Sequence, residues 1–229
     1  FEASIKLKTM PAVKWLEVQF PPVFIQEINQ YIDDVVIPNN KDYSDKLVGQ
    51  LKGEKSAQLD FPLKGHETGE QFKKVLENLG KSFVQKPYNR MSSVECFECW
   101  TVHSYEGDYN PMHDHGVRTQ SGLSCILYLK VPDSIKNKPE VEVPNLNHAS
   151  GVIDGWTQFQ WGANTMKDIY QLREQTQHVV RPVEGKLLMF PCWLNHMVWP
   201  FKGEGERRTL SANFNIHDSP EVTKQFAER

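Results

Sequence analysis

The chain lacks any apolar run able to cross a bilayer: its most hydrophobic stretches, such as 124–131 and 186–190, fall far short of the roughly 20 residues a membrane helix needs. It also lacks an excess of positive charge. Twenty-six Lys and Arg stand against 29 Asp and Glu, for a net charge of −3, so neither a nucleic-acid partner nor an acidic disordered tail is expected. Neither a GxSxG elbow nor a GxxxxGK[ST] loop is present, which removes the nucleophile-elbow hydrolases and the P-loop nucleotide enzymes. Internal repeats and low-complexity tracts are missing too.

Cysteine is scarce, at four residues. Cys96 and Cys99 form a CxxC, but no second pair exists to complete a zinc site, and in an extended segment residues i and i+3 face opposite ways. The expectation is buried strand cysteines with free thiols, in a soluble protein of the reducing cytoplasm. Because the sequence starts at Phe1 rather than Met, a processed leader stays compatible with it.

What is present divides the chain in two. At 229 residues and 39% apolar content it can bury one sizeable core, so a single domain over 1–229 is expected, with 1–92 as helical and irregular support and 93–217 as the core. In the first part, strand-like alternation over 12–18 and the prolines Pro21 and Pro22 precede a helix carrying Phe24, Ile28, Tyr31, Ile32 and Val35 on one face. Loops with short extended pieces are expected over 38–69. A second helix follows, with Phe72, Val75, Leu76, Leu79 and Phe83 in one stripe.

From Ser93 the period changes. Short runs rich in Val, Ile, Phe, Tyr and Trp recur over 94–105, 123–131, 152–161, 178–181, 186–190, 197–201 and 207–216. Seven or eight such strands predict a mainly β sandwich or barrel with the N-terminal helices outside it. The segment 133–148 reads as an excursion between strands.

Chemistry concentrates at His113-Asp114-His115. Residues i and i+2 of a strand point to one side, so the two imidazoles can converge while Asp114 faces away, and His196, at the end of another apolar strand, supplies a third. Imidazole ligands with open positions suit Fe(II). Arg207 lies eleven residues beyond His196. On a strand it shares a polar face with Thr209, Ser211 and Asn213, while Arg208, Leu210, Ala212 and Phe214 share the other, and a guanidinium on a buried face calls for an anionic partner. A pocket for a small dicarboxylate is the inference.

In that order, Tyr105-Glu-Gly, His113-x-His115, LSCILYL, EGKLLMFP, His196 and Arg207-x-Thr209 resemble the Fe(II)- and 2-oxoglutarate-dependent oxygenases, in particular prolyl-hydroxylase-like members and the bacterial and phage group with HxH in place of HxD. The resemblance covers about 94–216. It implies a double-stranded β-helix (jelly roll) with buttressing N-terminal helices, Fe(II) as cofactor and 2-oxoglutarate as co-substrate. It further implies His113 and His196 as iron ligands and Arg207 as partner of the far carboxylate of 2-oxoglutarate, with Tyr128, Tyr105 and Thr209 in the same pocket. O2 and a peptide or small-molecule substrate complete the reaction, a C–H hydroxylation releasing succinate and CO2.

Position 115 departs from the pattern, since a carboxylate usually stands there. Three readings stay open: a three-histidine site, a register slip that brings Asp114 in, or a site without catalysis. Strand geometry favours the first. Two rival functions also stay open, a cupin-like three-histidine dioxygenase without 2-oxoglutarate and a non-catalytic jelly-roll binding module. Trp193, three residues before His196, is a candidate for the substrate mouth.

Overall fold

A computed structural model describes residues 13–138, 152–162 and 176–227. Strand β1 (Leu16–Gln19) leads into helix α1 (Pro22–Tyr31), which starts with proline in its first turn, where the missing N–H is not needed, and buries Ile25, Ile28 and Tyr31. The helix runs on through a π-helical turn, Ile32–Val36, and stops after Asn39 where Asn40 turns left-handed at φ 42°. Strand β2 (Ala57–Asp60) precedes helix α2 (Glu67–Tyr88). His66 caps α2 by accepting from the Thr68 N–H, Glu67 and Glu70 sit favourably in its first turn, and Asn89 ends it at φ 48°.

The β-rich part contains β3 (Ser92–Ser104), β4 (Asn110–His113), β5 (Gly122–Lys130), β6 (Thr157–Gln160), β7 (Gln177–Val180), β8 (Lys186–Pro191), β9 (Asn195–Val198) and β10 (Arg207–Asp218), followed by helix α3 (Pro220–Ala227). They form two antiparallel sheets. The larger has the order β1-β8-β5-β10-β3-β2 and the smaller β4-β9-β6-β7. The jelly roll and the outside helices are as expected. Two differences matter. The N-terminal part does more than support, since β1 and β2 are the edge strands of the larger sheet. The run at 152–161 is a strand only over its last residues, because 152–155 form turns, and the expected excursion over 133–148 begins with a helical turn, Asp133–Lys136, and lies outside the described residues from 139 on.

Alternation along the central strands divides the interior into two cores. From β5, Leu123, Cys125, Leu127 and Leu129 face α1 and α2 and pack with Phe72, Leu76 and Phe83. Ile126 and Tyr128 face the smaller sheet and pack with Phe159, Leu188, Phe190 and Phe201. Leu210, Ala212, Phe214 and Ile216 of β10 join the helix-side core, so the polar set Arg207, Thr209, Ser211 and Asn213 is left facing the space between the sheets.

The CxxC departs from simple alternation. Phe214 pairs with Cys96 and Ala212 with Cys99, so the register shifts by one residue at Phe97. This β-bulge restores parity, and Cys96, Cys99 and Cys125 all enter the helix-side core as free thiols.

Candidate active site

The smaller sheet brings the three histidines together. His113, the last residue of β4, pairs directly with His196 of β9, and His115 lies two residues past the end of β4 with its backbone N–H bonded to the Cys192 carbonyl. One ring nitrogen from each lies within 4.8 Å of the others. The rings of His113 and His196 have centroids 4.3 Å apart, and Phe190 and Phe159 wall in the His196 ring.

The tautomers follow from the backbone. His113 Nδ1–H donates to the Pro111 carbonyl at 2.7 Å and His196 Nδ1–H to the Leu194 carbonyl at 3.0 Å, which leaves both Nε2 lone pairs pointing into the site. Burial favours the uncharged form of all three. It lowers the pKa of His113, drives that of His115 down to about 4, and holds His196 well below its ordinary value. Neutral imidazoles with free Nε2 atoms are the form that binds a divalent metal, so the donor set fits Fe(II).

A cavity of about 400 Å³ opens onto this cluster. Arg207, Thr209, Ser211 and Asn213 line one wall, as the parity of β10 predicts, while Arg208 faces the other way, toward Glu206, Asn29 and Asp33. Arg207 is 2% exposed. Its Nε donates to the Gly155 carbonyl at 3.0 Å and its Nη2 lies 3.5 Å from Thr157 Oγ1, yet among the described residues it has no carboxylate partner. Gly155 is held at φ 74°, and a Cβ there would run into Ile135, so only glycine presents that carbonyl. The guanidinium also sits 5.5 Å from the centre of the Tyr128 ring, whose hydroxyl donates to Thr157 Oγ1 at 2.7 Å. A buried cation with unused donors and only neutral partners is a receptor for an anion.

The profile described as "Putative 2OG-Fe(II) oxygenase" matches residues 98–213, just over half of the chain. The chain belongs to this family of oxygenases. No curated protein matches it. Solved structures share the fold at low identity. A prolyl-4-hydroxylase from Pseudomonas putida is 15% identical over 90% of this chain and 94% of its own, with a TM-score of 0.51. The 2-oxoglutarate-dependent carbocyclase SnoK of nogalamycin biosynthesis is 10% identical over 95% and 86%, with a TM-score of 0.59. HygX from Streptomyces hygroscopicus, solved with iron bound, is 12% identical over 89% and 82%, with a TM-score of 0.53. The enzyme is thus a 2-oxoglutarate-dependent oxygenase that uses Fe(II) and O2 and acts on an organic substrate.

Six of the seven residues expected in the oxygenase's site gather around the cavity or its floor: His113, His115, His196, Arg207 and Thr209 line it, and Tyr128 braces the wall behind Arg207. Tyr105 does not. Ser104 ends β3 facing the cavity, so the next side chain turns to the opposite side, where burial and Glu206 raise the Tyr105 pKa and Arg208 lowers it. Trp193 is likewise outside the lining, 54% exposed on the turn before β9. Sequence reading missed the far wall, where Tyr43, Leu47, Val48 and Leu51 come from the irregular segment after α1. It also missed Asn110, three residues before His113, whose place is set by a bulge between β4 and β9 that periodicity does not display.

Among the described residues, no helix is long and apolar enough to cross a membrane.

Proposed function

We propose that His113, His115 and His196 hold Fe(II) as a three-histidine centre and that Arg207, with Thr209, takes the far carboxylate of 2-oxoglutarate. The substrate is a peptide or small molecule hydroxylated at a C–H bond, with succinate and CO2 released. One observation carries this reading: three neutral imidazoles open onto the same cavity as a buried guanidinium that has no acid partner among the described residues.

Bound iron supplies the activation of O2, coupled to oxidative decarboxylation of the co-substrate. The chain's own residues supply geometry. The Pro111 and Leu194 carbonyls hold two imidazoles in the ligating tautomer. Arg207 offers its remaining N–H donors as a fork matched to a carboxylate, and Gly155, Thr157 and Tyr128 hold that fork in place. Phe159 and Phe190 pack against the His196 ring and Trp100 against the His115 ring, giving the imidazoles an apolar backing that strengthens charge interactions beside them. Tyr105 has no part in this assignment. Asp114 is exposed on the segment between the two histidines and is not one of the clustered donors, which favours His115 over Asp114 as third ligand.

The anchored Arg207 favours this reading over a cupin-like dioxygenase, which needs no dicarboxylate receptor. We further read residues 1–229 as one domain of the cytoplasm, where four free buried cysteines stay reduced. Anaerobic titration with Fe(II) and then 2-oxoglutarate tests the proposal. A weak visible charge-transfer band and succinate release on admission of O2 are expected; absence of both would refute it.

A further inference from the structure

Asn110 holds an unusual position beside the histidine cluster. Its Nδ2 lies 3.3 Å from His113 Nε2, the nitrogen whose lone pair is left free because Nδ1–H donates to Pro111. The amide orientation follows from that tautomer: Nδ2–H meets a lone pair, whereas the flipped amide would set two acceptors against each other. Oδ1 is therefore turned away from the histidines, and there it is buried without a hydrogen-bond partner among the described residues. Gly49 closes that side. A Cβ at Gly49 would come within 2.7 Å of Oδ1 and 2.8 Å of the Asn110 Cα, so the backbone of the segment after α1 presses directly on this residue. The bridge between Gln50 and Tyr109 pins the same segment down.

A buried acceptor without a partner is costly, and a carboxamide fixed at that cost with its donor aimed at a metal-ligand nitrogen calls for a use. With a metal ion on the His113 lone pair, Nδ2–H would lose the one acceptor it has among the described residues while its direction stays set by the Gly49 contact. An oxygen ligand on that metal would then offer Nδ2–H an acceptor. We propose that Asn110 is a co-substrate-binding residue, donating from Nδ2 to the metal-bound carboxylate of 2-oxoglutarate, at the opposite end of that molecule from Arg207. This rests on the three-histidine reading above. In a centre lacking a carboxylate ligand, a neutral donor at this place suits an arriving anion and an acidic residue would oppose it.

Asn110→Ala and the isosteric Asn110→Asp test this in the full chain, with Fe(II) affinity and 2-oxoglutarate affinity measured separately under anaerobic conditions, the second by the charge-transfer band. For Asn110→Ala, Fe(II) affinity should stay within about twofold of the parent while 2-oxoglutarate binds about tenfold or more weakly, the loss expected for one hydrogen bond to a charged group. Asn110→Asp should bind Fe(II) at least as well as the parent and 2-oxoglutarate more weakly than Asn110→Ala does. Unchanged 2-oxoglutarate affinity in both variants would overturn the proposal. So would an equal loss of Fe(II) affinity with and without 2-oxoglutarate, since Asn110 would then serve the imidazole rather than the co-substrate. Failure of the parent protein itself to bind Fe(II) would instead bring down the three-histidine reading and this proposal with it.

Discussion

The Nε2 atoms of His115 and His196 stand 3.2 Å apart with their rings stacked at 20°. His196 keeps its proton on Nδ1, so the contact is attractive without metal only when His115 carries its proton on Nε2 and donates it. With a cation bound, His115 would carry its proton on Nδ1 and offer its Nε2 lone pair to the metal. His115→Ala should therefore weaken Fe(II) binding by more than about a hundredfold, having removed one of three ligands, and His115→Asp should retain it. Asp114→Asn should leave Fe(II) affinity within about twofold. Metal titrations of the three variants decide between the two residues, and a reversed order would assign the site to Asp114.

Acid should unfold the metal-free protein early. The folded-state pKa of His115 lies near 4, below the ordinary value of 6.5, and those of His113 and His196 are lowered in the same direction. Between these limits the unfolded chain binds protons that the folded chain refuses, so stability is full above about pH 6.5 and falls as pH drops toward 4. His115 alone contributes a loss of about 3 kcal/mol over that window. Thermal midpoints recorded from pH 7 to 4.5 should fall steeply for the metal-free protein. Added Fe(II) or Zn(II) should raise the midpoint most at neutral pH, since proton and metal compete for the same nitrogens.

Arg207 and Arg208 should separate cleanly. Arg207→Ala removes the anion receptor and should weaken 2-oxoglutarate by about a hundredfold or more while Fe(II) binding is kept. Arg208 lies against Glu206, whose carboxyl is lowered to about 2 despite burial because His103 and Arg208 bond to it. Arg208→Ala breaks that buried cluster and should cost about 3 kcal/mol of stability with 2-oxoglutarate affinity little changed. Calorimetric binding and denaturant unfolding on both variants give the comparison. Equal loss of co-substrate binding in both would contradict the strand-parity assignment.

Period and parity account for what the sequence disclosed. Alternation on β10 separated Arg207, Thr209, Ser211 and Asn213 from Leu210, Ala212 and Phe214, and the structure places the two sets on opposite sides. The triplet at 113–115 was legible because two imidazoles two residues apart need only extended backbone to converge. Parity misleads where a strand ends or bulges. Tyr105 lies one residue past β3 and turns behind the sheet; Phe97 inserts a residue that aligns Cys96 with Cys99; Asn110 is brought to His113 by the irregular pairing of β4 with β9. The wall formed by Tyr43, Leu47, Val48 and Leu51 comes from a segment whose shape is set by tertiary contacts, such as Asp108 accepting from the Lys52 N–H and Ser56 Oγ, and no local pattern announces it.

The bulge at Phe97 makes its own prediction. Cys96, Cys99 and Cys125 are each about 1% exposed, and burial raises all three thiol pKa values, that of Cys125 to about 12, whereas Cys192 is 8% exposed near the surface turn before β9. A thiol-specific disulfide reagent should modify Cys192 first and the other three only at the rate of unfolding. Phe97→Ala keeps the extra residue and should preserve that pattern, although it removes the ring on which the Arg118 guanidinium rests 4.7 Å away. Deleting Phe97 instead removes the extra residue and restores plain alternation, so Cys96 stays opposite Phe214 and Glu98 opposite Asn213, and Cys96 and Cys99 still face the helix-side core. That variant should keep Cys96 as slow to label as in the parent and lose no more than about 1–3 kcal/mol of stability. Rapid Cys96 labelling in the deletion variant would mean that Phe97 is not the extra residue that aligns Cys96 with Cys99.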